Sequence, residues 1–81
     1  MRVAFSNRGA NQYQALSKKR RVKFEKQIGF LLSNFRHPSL RAKKYDETRD
    51  VWQARLNGNY RFYFQIKEDT YRIISITPHP K

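Results

Sequence analysis

The chain of 81 residues is 38% hydrophobic and 15% aromatic, enough for one small domain with a thin core, so we expect residues 1–81 to form a single domain. Its 18 Lys and Arg outnumber its 6 Asp and Glu, which gives a formal net charge of +12 and a pI near 10.6. Such a charge attracts polyanions, so nucleic acid is the first expected partner and an acidic protein the second. The lack of cysteine excludes disulfide frameworks and thiolate zinc sites.

No segment of the sequence predicts membrane insertion. Met1–Asn7 lacks the apolar core of a signal peptide. The longest apolar stretch, Ile28–Leu32, is far too short to cross a bilayer. We therefore expect a soluble cytoplasmic protein with no membrane partner.

The first half of the sequence predicts a strand and two helices. Arg2–Phe5 is compatible with a short strand, and Asn7–Leu16 is a helix candidate that contains Gly9. Ser17 suits the N-cap of a second helix, whose apolar residues recur at helical spacing and make one stripe. We expect the His37–Pro38 step to end this helix, because the residue before proline avoids the helical region. The stripe residues are Phe24, Ile28, Leu31 and Phe35.

After a polar, basic connection at Ser39–Asp50, the sequence predicts a three-strand meander. Its strands are rich in aromatic and β-branched residues: Val51–Leu56, Tyr60–Ile66 and Tyr71–Thr77. The order β-α-α-β-β-β predicts an α+β two-layer domain. In it, the N-terminal strand and the helical hairpin pack on one face of an antiparallel sheet.

Side-chain alternation determines the register of the first hairpin. Trp52 and Ala54 share one face of their strand, and Phe62 and Phe64 share one face of the next. Both sets must face the same core, because a one-residue slip would turn every side chain over. A two-residue loop fails this test. A loop of residues 57–59 passes it, since it sets Ala54 opposite Phe62.

The same register defines the other face of the hairpin, where Arg55 lies opposite Arg61. Two cations in that arrangement destabilise a sheet, so we interpret the pair as an anion site, with phosphate as the natural ligand. The alternative is a solvated face on which the two arginines splay apart. Gln53, Tyr63 and Gln65 share this face.

The second hairpin predicts an unusual last strand. A two-residue turn at Glu68–Asp69 would set Ile76 opposite Arg61 and Ile74 opposite Tyr63. The strand would then be apolar on both sides. This predicts either a central strand or a sheet face that a partner covers.

A second cluster of positive charge surrounds the start of the second helix and continues into the connection. Cations at a helix N-terminus oppose the helix dipole, and the net charge is one-sided, so we predict phosphate binding rather than a merely solvated face. Gln53 and Gln65 extend the predicted RNA-binding surface onto the sheet. The residues of the cluster are Lys18, Lys19, Arg20, Arg21, Lys23, Arg41, Lys43 and Lys44.

Several segments resemble the RelE/ParE toxin family of bacterial type II toxin–antitoxin pairs. They are Asp50–Leu56, Tyr60–Phe64 and His79 near the C-terminus, after a helical hairpin, while Pro38–Tyr45 is similar to the family's lead-in to its second strand. The resemblance covers nearly the whole chain and implies a toxin that stops growth. The RelE branch cleaves mRNA, usually in the ribosomal A site, without metal. The ParE branch poisons DNA gyrase, and an antitoxin wraps and neutralises either kind.

The resemblance places the working residues of the RelE branch at Gln53, Arg55, Arg61 and His79. Two features depart from that pattern. Gln53 stands where the ribonucleases often have a cation, and no tyrosine follows His79. Tyr63, on the same predicted face, is the candidate to replace that tyrosine.

Metal-free RNA cleavage needs a base for the 2′-hydroxyl, cations for the phosphorane and an acid for the leaving 5′-oxygen. We assign phosphate binding to Arg61 and Arg55, and acid–base chemistry to His79, because imidazole ordinarily titrates close to neutral pH. Tyr63 or Gln65 would position a base or the ribose. The alternative for His79, which lies between two prolines, is a mobile surface residue.

The sequence thus predicts a ribosome-associated mRNA endoribonuclease, an mRNA interferase, that inhibits translation. Its expected partners are mRNA, the ribosome and a cognate acidic antitoxin. His37 and His79 have no carboxylate cluster near them in sequence, so no metal is expected, and no cofactor either. The alternatives are a gyrase-inhibiting toxin and a catalytically inactive nucleic-acid-binding module.

Overall fold

Two helices and one five-stranded sheet form the fold in the computed structural model, which describes residues 1–79. The strand order is β1-β5-β4-β3-β2. The α+β class, both helices and the meander are confirmed. The sheet is mixed rather than antiparallel, because β1 lies in it and pairs parallel with β5. The elements are β1 (Arg2–Phe5), α1 (Asn7–Ala15), α2 (Lys18–Ser33), β2 (Lys43–Asp46), β3 (Val51–Arg55), β4 (Tyr60–Lys67) and β5 (Thr70–Pro78).

The β3–β4 hairpin has the register that alternation predicts. Trp52 lies opposite Phe64 and Ala54 opposite Phe62 on the covered face. The loop is closed by Asn57, whose Oδ1 accepts hydrogen bonds from the backbone N–H groups of residues 59 and 60, each at 2.8 Å. An asparagine side chain that satisfies two loop amides in this way stabilises a tight turn.

The β4–β5 pairing has the predicted register next to the turn, over Phe64–Lys67, and differs from the prediction over Tyr60–Tyr63. The turn at Glu68–Asp69 forms, but the register shifts by one residue between Tyr63 and Phe64. Tyr63 therefore lies opposite Ser75, and Arg61 opposite Thr77, so the expected pairs with Ile74 and Ile76 are wrong. A bulge adds one residue to a strand and turns the following side chains over, which alternation in the sequence alone does not indicate.

This bulge explains why β5 carries isoleucines at odd and even positions. Ile73 and Ile76 are both buried, 0% and 3% exposed, on the face that the helices cover. The strand lies between β1 and β4, so the prediction of a central strand is confirmed.

The connection Ser39–Asp50 contains a strand that the sequence analysis did not predict. Residues of β2 pair with β3, where Lys43 lies opposite Gln53 and Lys44 opposite Trp52. The segment is polar because it is an edge strand, which needs no two-sided apolar pattern. Pairing with β3 provides the hydrogen bonds, and Lys44 packs its ammonium 4.9 Å from the centre of the Trp52 ring.

Both helices begin at serines whose side chains cap them. Ser6 Oγ accepts from the Gly9 N–H at 3.0 Å, and Ser17 Oγ accepts from the Arg20 N–H at 3.2 Å. Gly9 also permits a close approach to the sheet, since a Cβ there would lie 2.4 Å from the carbonyl oxygen of Ile73. The start of α1 is therefore seated directly on β5.

Helix α2 ends at Ser33, earlier than the predicted His37–Pro38 step. Asn34 caps it, and its Oδ1 accepts from the Arg36 N–H at 3.1 Å, a local bond that competes with helix continuation. Phe35 therefore lies outside the helix and meets Trp52 edge-on, with ring centres 5.6 Å apart.

The core lies between the helices and one face of the sheet. Phe24 of α2 contacts Phe62 of β4 edge-to-face at 5.2 Å, and Phe64 packs against Tyr71 in the same manner at 5.6 Å. Within residues 1–79, neither helix is long and apolar enough to cross a bilayer.

Candidate functional site

A pocket with basic walls lies on the open face of the sheet, at the end where the β3–β4 loop turns. We call it the cationic pocket. Arg55 and Arg61 lie opposite each other across β3 and β4, as predicted. The residues that line it are Arg41, Lys43, Gln53, Arg55, Arg61 and His79.

Backbone groups of the hairpin hold Arg61 in place. Its Nη1 donates to the carbonyl oxygens of Asn57, at 2.9 Å, and Tyr60, at 3.0 Å. One nitrogen of the guanidinium is thereby committed, and its other N–H donors remain for a ligand. An arginine fork fixed in this way suits two oxygens of one phosphate.

A buried glutamine supports Arg55 from the opposite side of the sheet. Gln27 of α2 is 1% exposed and donates through Nε2 to the carbonyl oxygen of Arg55 at 2.9 Å and to that of Ser39 at 3.2 Å. The Ser39 hydroxyl donates to Gln27 Oε1 at 3.3 Å, and the Arg55 N–H donates to the Leu40 carbonyl at 2.7 Å. The helix layer and the α2–β2 loop thus jointly set the backbone of β3 at the pocket.

The backbone positions two further pocket residues, Arg41 through its conformation and His79 through a hydrogen bond. Arg41 has φ +47, in the left-handed region that non-glycine residues rarely occupy. His79 is exposed, but its backbone N–H donates to the Asn59 carbonyl at 2.7 Å, next to the pairing of Pro78 with Tyr60. The backbone around His79 is therefore tied to the hairpin loop, which opposes the alternative of a free tail.

Acidic residues lie away from the pocket. Among residues 1–79, Asp46 pairs with Arg49 at 2.9 Å, Asp69 with Arg2 at 3.5 Å, and Glu47 and Asp50 with Lys44. None of the pocket residues has an ion-pair partner in this described part of the chain. The positive charge of the pocket is therefore not neutralised by the side chains of residues 1–79.

Part of the predicted basic cluster continues from the pocket toward α2. Lys19, Arg20 and Lys23 line a neighbouring depression together with loop residues 57 and 59. Lys23 also lines a third depression that reaches Arg41 and Arg55. We call these three α2 residues the basic track, since they lead along the surface to the cationic pocket.

Other predicted RNA-binding residues lie elsewhere. Arg21 donates through Nη2 to the Gln14 carbonyl at 2.9 Å and joins the two helices. Lys44 pairs with Asp50, which raises the pKa of the Lys44 ammonium through a hydrogen bond. Gln65 donates to the Arg49 carbonyl at 3.0 Å, and Lys18 is exposed at the first turn of α2. These four residues do not line the pocket.

Tyr63 lies beside the pocket rather than in its wall. It lines an adjoining cleft, where its ring packs against that of Tyr45 with centres 4.9 Å apart. Burial raises the pKa of Tyr63, the nearby Tyr45 raises it further, and the Arg61 cation opposes both effects. A neutral phenol of this kind donates a hydrogen bond but is a poor general base at neutral pH.

Tyr45 was not among the functional residues predicted from the sequence, because β2 was not predicted. The available signal was the alternation of Lys43 and Tyr45, which places both on one face of a strand. Arg8 and Arg49, which also line the cleft, carried no such signal.

Comparisons with known proteins found no matching family model and no matching curated protein. Solved structures do match over nearly the whole chain. The YoeB/ParE toxin from Agrobacterium tumefaciens superposes with a TM-score of 0.82 at 13% identity, covering 99% of this chain and 100% of that one. The RelE of the Pyrococcus horikoshii RelE–RelB complex gives 0.77 at 22% identity, covering 95% and 92%. The isolated E. coli RelE toxin gives 0.76 at 18% identity, covering 98% and 84%.

The chain has the RelE/ParE toxin fold. The likeness confirms the architecture that the resemblance in sequence implied: two helices over one face of a sheet whose other face is open. On this RelE/ParE fold, the cationic pocket occupies the open face.

Proposed function

We propose that the chain is the toxin of a type II toxin–antitoxin pair and that it cleaves mRNA on the ribosome at the cationic pocket. The observation that carries the proposal is the convergence of Arg41, Lys43, Arg55 and Arg61 with His79 in one pocket whose charges have no ion-pair partner among residues 1–79. An opposed arginine pair costs stability, and a phosphodiester offsets that cost.

In the proposed reaction, the 2′-hydroxyl of one nucleotide attacks the adjacent phosphorus. The 2′-oxygen–phosphorus bond forms, the bond to the 5′-oxygen breaks, and the products are a 2′,3′-cyclic phosphate and a 5′-hydroxyl. Arg61 and Arg55 hold the phosphate oxygens as negative charge builds up on the phosphorane. His79 takes the proton from the 2′-hydroxyl and returns one to the leaving 5′-oxygen, since an imidazole has one nitrogen that can accept a proton and one N–H that can donate.

The proposed partners follow from charge and fold together. The net charge of +12 favours an acidic protein and RNA. Structures of the same fold include the P. horikoshii RelE–RelB complex and the Staphylococcus aureus YoeB–YefM complex, in which the toxin is bound to its antitoxin. A cognate acidic antitoxin is therefore the proposed protein partner.

Primer extension on an mRNA under translation, with ribosomes and this protein, tests the proposal. We expect codon-phased cuts, and a loss of roughly 10²- to 10³-fold in cleavage rate for Arg61→Ala, the range for removing one donor from a charge-stabilising site. Arg72→Ala is the matched control, because Arg72 is an exposed cation of the same sheet outside the pocket.

Circular dichroism must show that Arg61→Ala keeps the fold. Uncut mRNA with the wild-type protein would reject the ribonuclease proposal. Cleaved-DNA complexes of gyrase that accumulate in treated cells would then identify the gyrase-directed alternative.

A further inference from the structure

The cleft beside the cationic pocket is built around a pair of tyrosines. Tyr45 is 58% exposed, and its ring lies at 63° to that of Tyr63, with centres 4.9 Å apart. Arg8, Ser75 and Thr77 are among the other residues that line the cleft. An exposed aromatic surface with polar and cationic walls is unlike the packed, apolar surroundings of a core aromatic pair.

Two bulges lie beside this cleft. The β2–β3 register shifts between Lys44 and Asp46, so Tyr45 lies at an irregular position of the edge strand. The β4–β5 shift places Ile74 and Ser75 beside Tyr63. Bulges turn side chains away from regular pairing, and they concentrate near binding sites.

The cleft and the cationic pocket share two strands, β4 and β2, and one face of the sheet. Arg61 and Tyr63 are two residues apart on β4, a separation of roughly 6.5 Å along a strand. Lys43 of the pocket and Tyr45 of the cleft are two residues apart on β2. One nucleotide can therefore place its phosphate in the pocket while a neighbouring base reaches the tyrosines.

The charges around the cleft suit an uncharged ring attached to an anionic backbone. Asp46 forms an ion pair with Arg49, with 2.9 Å between Oδ2 and Nε, whereas Arg8 has no ion-pair partner among residues 1–79. Tyr63 remains a neutral phenol at physiological pH, so it does not repel a phosphate. Aromatic side chains stack on any base, because every base presents a π-face.

We propose that Tyr45 and Tyr63 form a base-stacking subsite for single-stranded RNA, which holds the nucleotide adjacent to the phosphate in the cationic pocket. This inference rests on the proposed function, and it adds a contact made by bases rather than phosphates. Tyr45 supplies the exposed ring, and Tyr63 supports it from β4.

Binding of an uncleavable ligand tests the subsite. The probe is a short oligonucleotide with 2′-O-methyl riboses and a central 2-aminopurine, and its partner is an oligomer with the same phosphates and no bases. Tyr45→Ala should weaken binding of the probe roughly tenfold and reduce the quenching of 2-aminopurine, within the range for losing one stacked base. It should leave binding of the base-free oligomer unchanged.

Matched variants separate the possible outcomes. Tyr45→Phe should bind as the wild type does, and Leu32→Ala, which removes an exposed apolar side chain of α2, should have no effect. Equal losses of both ligands on Tyr45→Ala would overturn the subsite, as would unchanged binding of both. Unchanged RNA binding with a loss of antitoxin affinity would overturn it in favour of a protein contact.

Arg61→Ala distinguishes failure of the subsite from failure of the proposed function. It should weaken binding of both oligomers alike, because it removes a phosphate contact. If Arg61→Ala changes the binding of neither oligomer, the proposed function is wrong and the subsite with it. If Arg61→Ala weakens the binding of both oligomers while Tyr45→Ala changes the binding of neither, only the subsite is wrong.

Discussion

The two faces of strand β4 contrast most sharply in this molecule. Phe62 and Phe64 point under the helices and are 0% exposed, whereas Arg61 and Tyr63 alternate with them on the open face. The same backbone therefore carries a packed aromatic core on one side and a charged binding surface on the other. The core determines where the strand lies, and this lets the open face hold cations that oppose one another.

Phe62→Ala should have the largest effect on stability, because Phe62 is in the centre of the core against Phe24. We expect a loss of about 3–5 kcal/mol in the free energy of unfolding, from lost burial and the cavity left behind. Urea denaturation measures it, with Phe62→Leu as a milder variant. Arg61→Ala should lose far less stability. Equal losses at the two positions would contradict the division between the faces.

Alanine substitutions at two glycines test the packing of the helices on the sheet, with smaller expected changes in stability. Gly9→Ala places a Cβ 2.4 Å from the Ile73 carbonyl oxygen, so we expect destabilisation of about 1–3 kcal/mol from overpacking. Gly29→Ala meets nothing within 4 Å and lies inside α2, so it should stabilise the protein by about 0.8–1 kcal/mol. The melting temperature should fall for Gly9→Ala and rise for Gly29→Ala. A shift of both in the same direction would refute the close packing of α1 on β5.

The basic track should affect RNA affinity without affecting chemistry. Lys23→Ser should lower the slope of log Kd against log salt concentration by about 1, the value for one lost phosphate contact. Lys26→Ser, on the same helix but outside the track, is the charge-matched control. A cleavage rate at saturating RNA that falls with Lys23→Ser would place this residue in the reaction instead.

The smallest expected effect is a change in the pKa of Tyr63, on the open face of the sheet. Its pKa is raised by burial first and by Tyr45 second, so Tyr45→Ala should lower it toward the ordinary tyrosine value. A raised phenol pKa stabilises the folded state fully below the unfolded value of about 10, and this contribution disappears as pH rises through the folded value. NMR titration of ¹³C-labelled tyrosine tests this. The pKa of Tyr71, which burial alone raises, should not move.

Alternation in sequence predicted the β3–β4 hairpin to the residue, because its two apolar sets admit one register. It failed where the structure departs from alternation. The bulge in β5 depends on how Ile73 and Ile76 both reach the core, a matter of tertiary packing. Strand β2 has no apolar pattern, because its partner supplies the pairing and its outer edge faces solvent.

The candidate site likewise contains residues that the sequence placed together and residues that only the folded chain brings together. Arg55, Arg61 and Gln53 were placed together by hairpin register, which is local information. Tyr45 reaches Tyr63 only through the pairing of β2 with β3 and the bulge in β2, neither of which was predicted from the sequence. Gln27 supports Arg55 across 28 residues of sequence, a contact that only the folded chain defines.

The position of β5 has a consequence for the order of events during synthesis. This strand is second in the sheet, between β1 and β4, yet it is made after every other strand described. While residues 70–78 remain in the ribosomal exit tunnel, β1 has no neighbour, and β4 exposes an unpaired edge. The Asn59 carbonyl, which accepts a hydrogen bond from the His79 N–H, likewise has no His79 partner until that residue has left the tunnel. A nascent chain therefore cannot complete its pocket until residues 70–79 have left the exit tunnel.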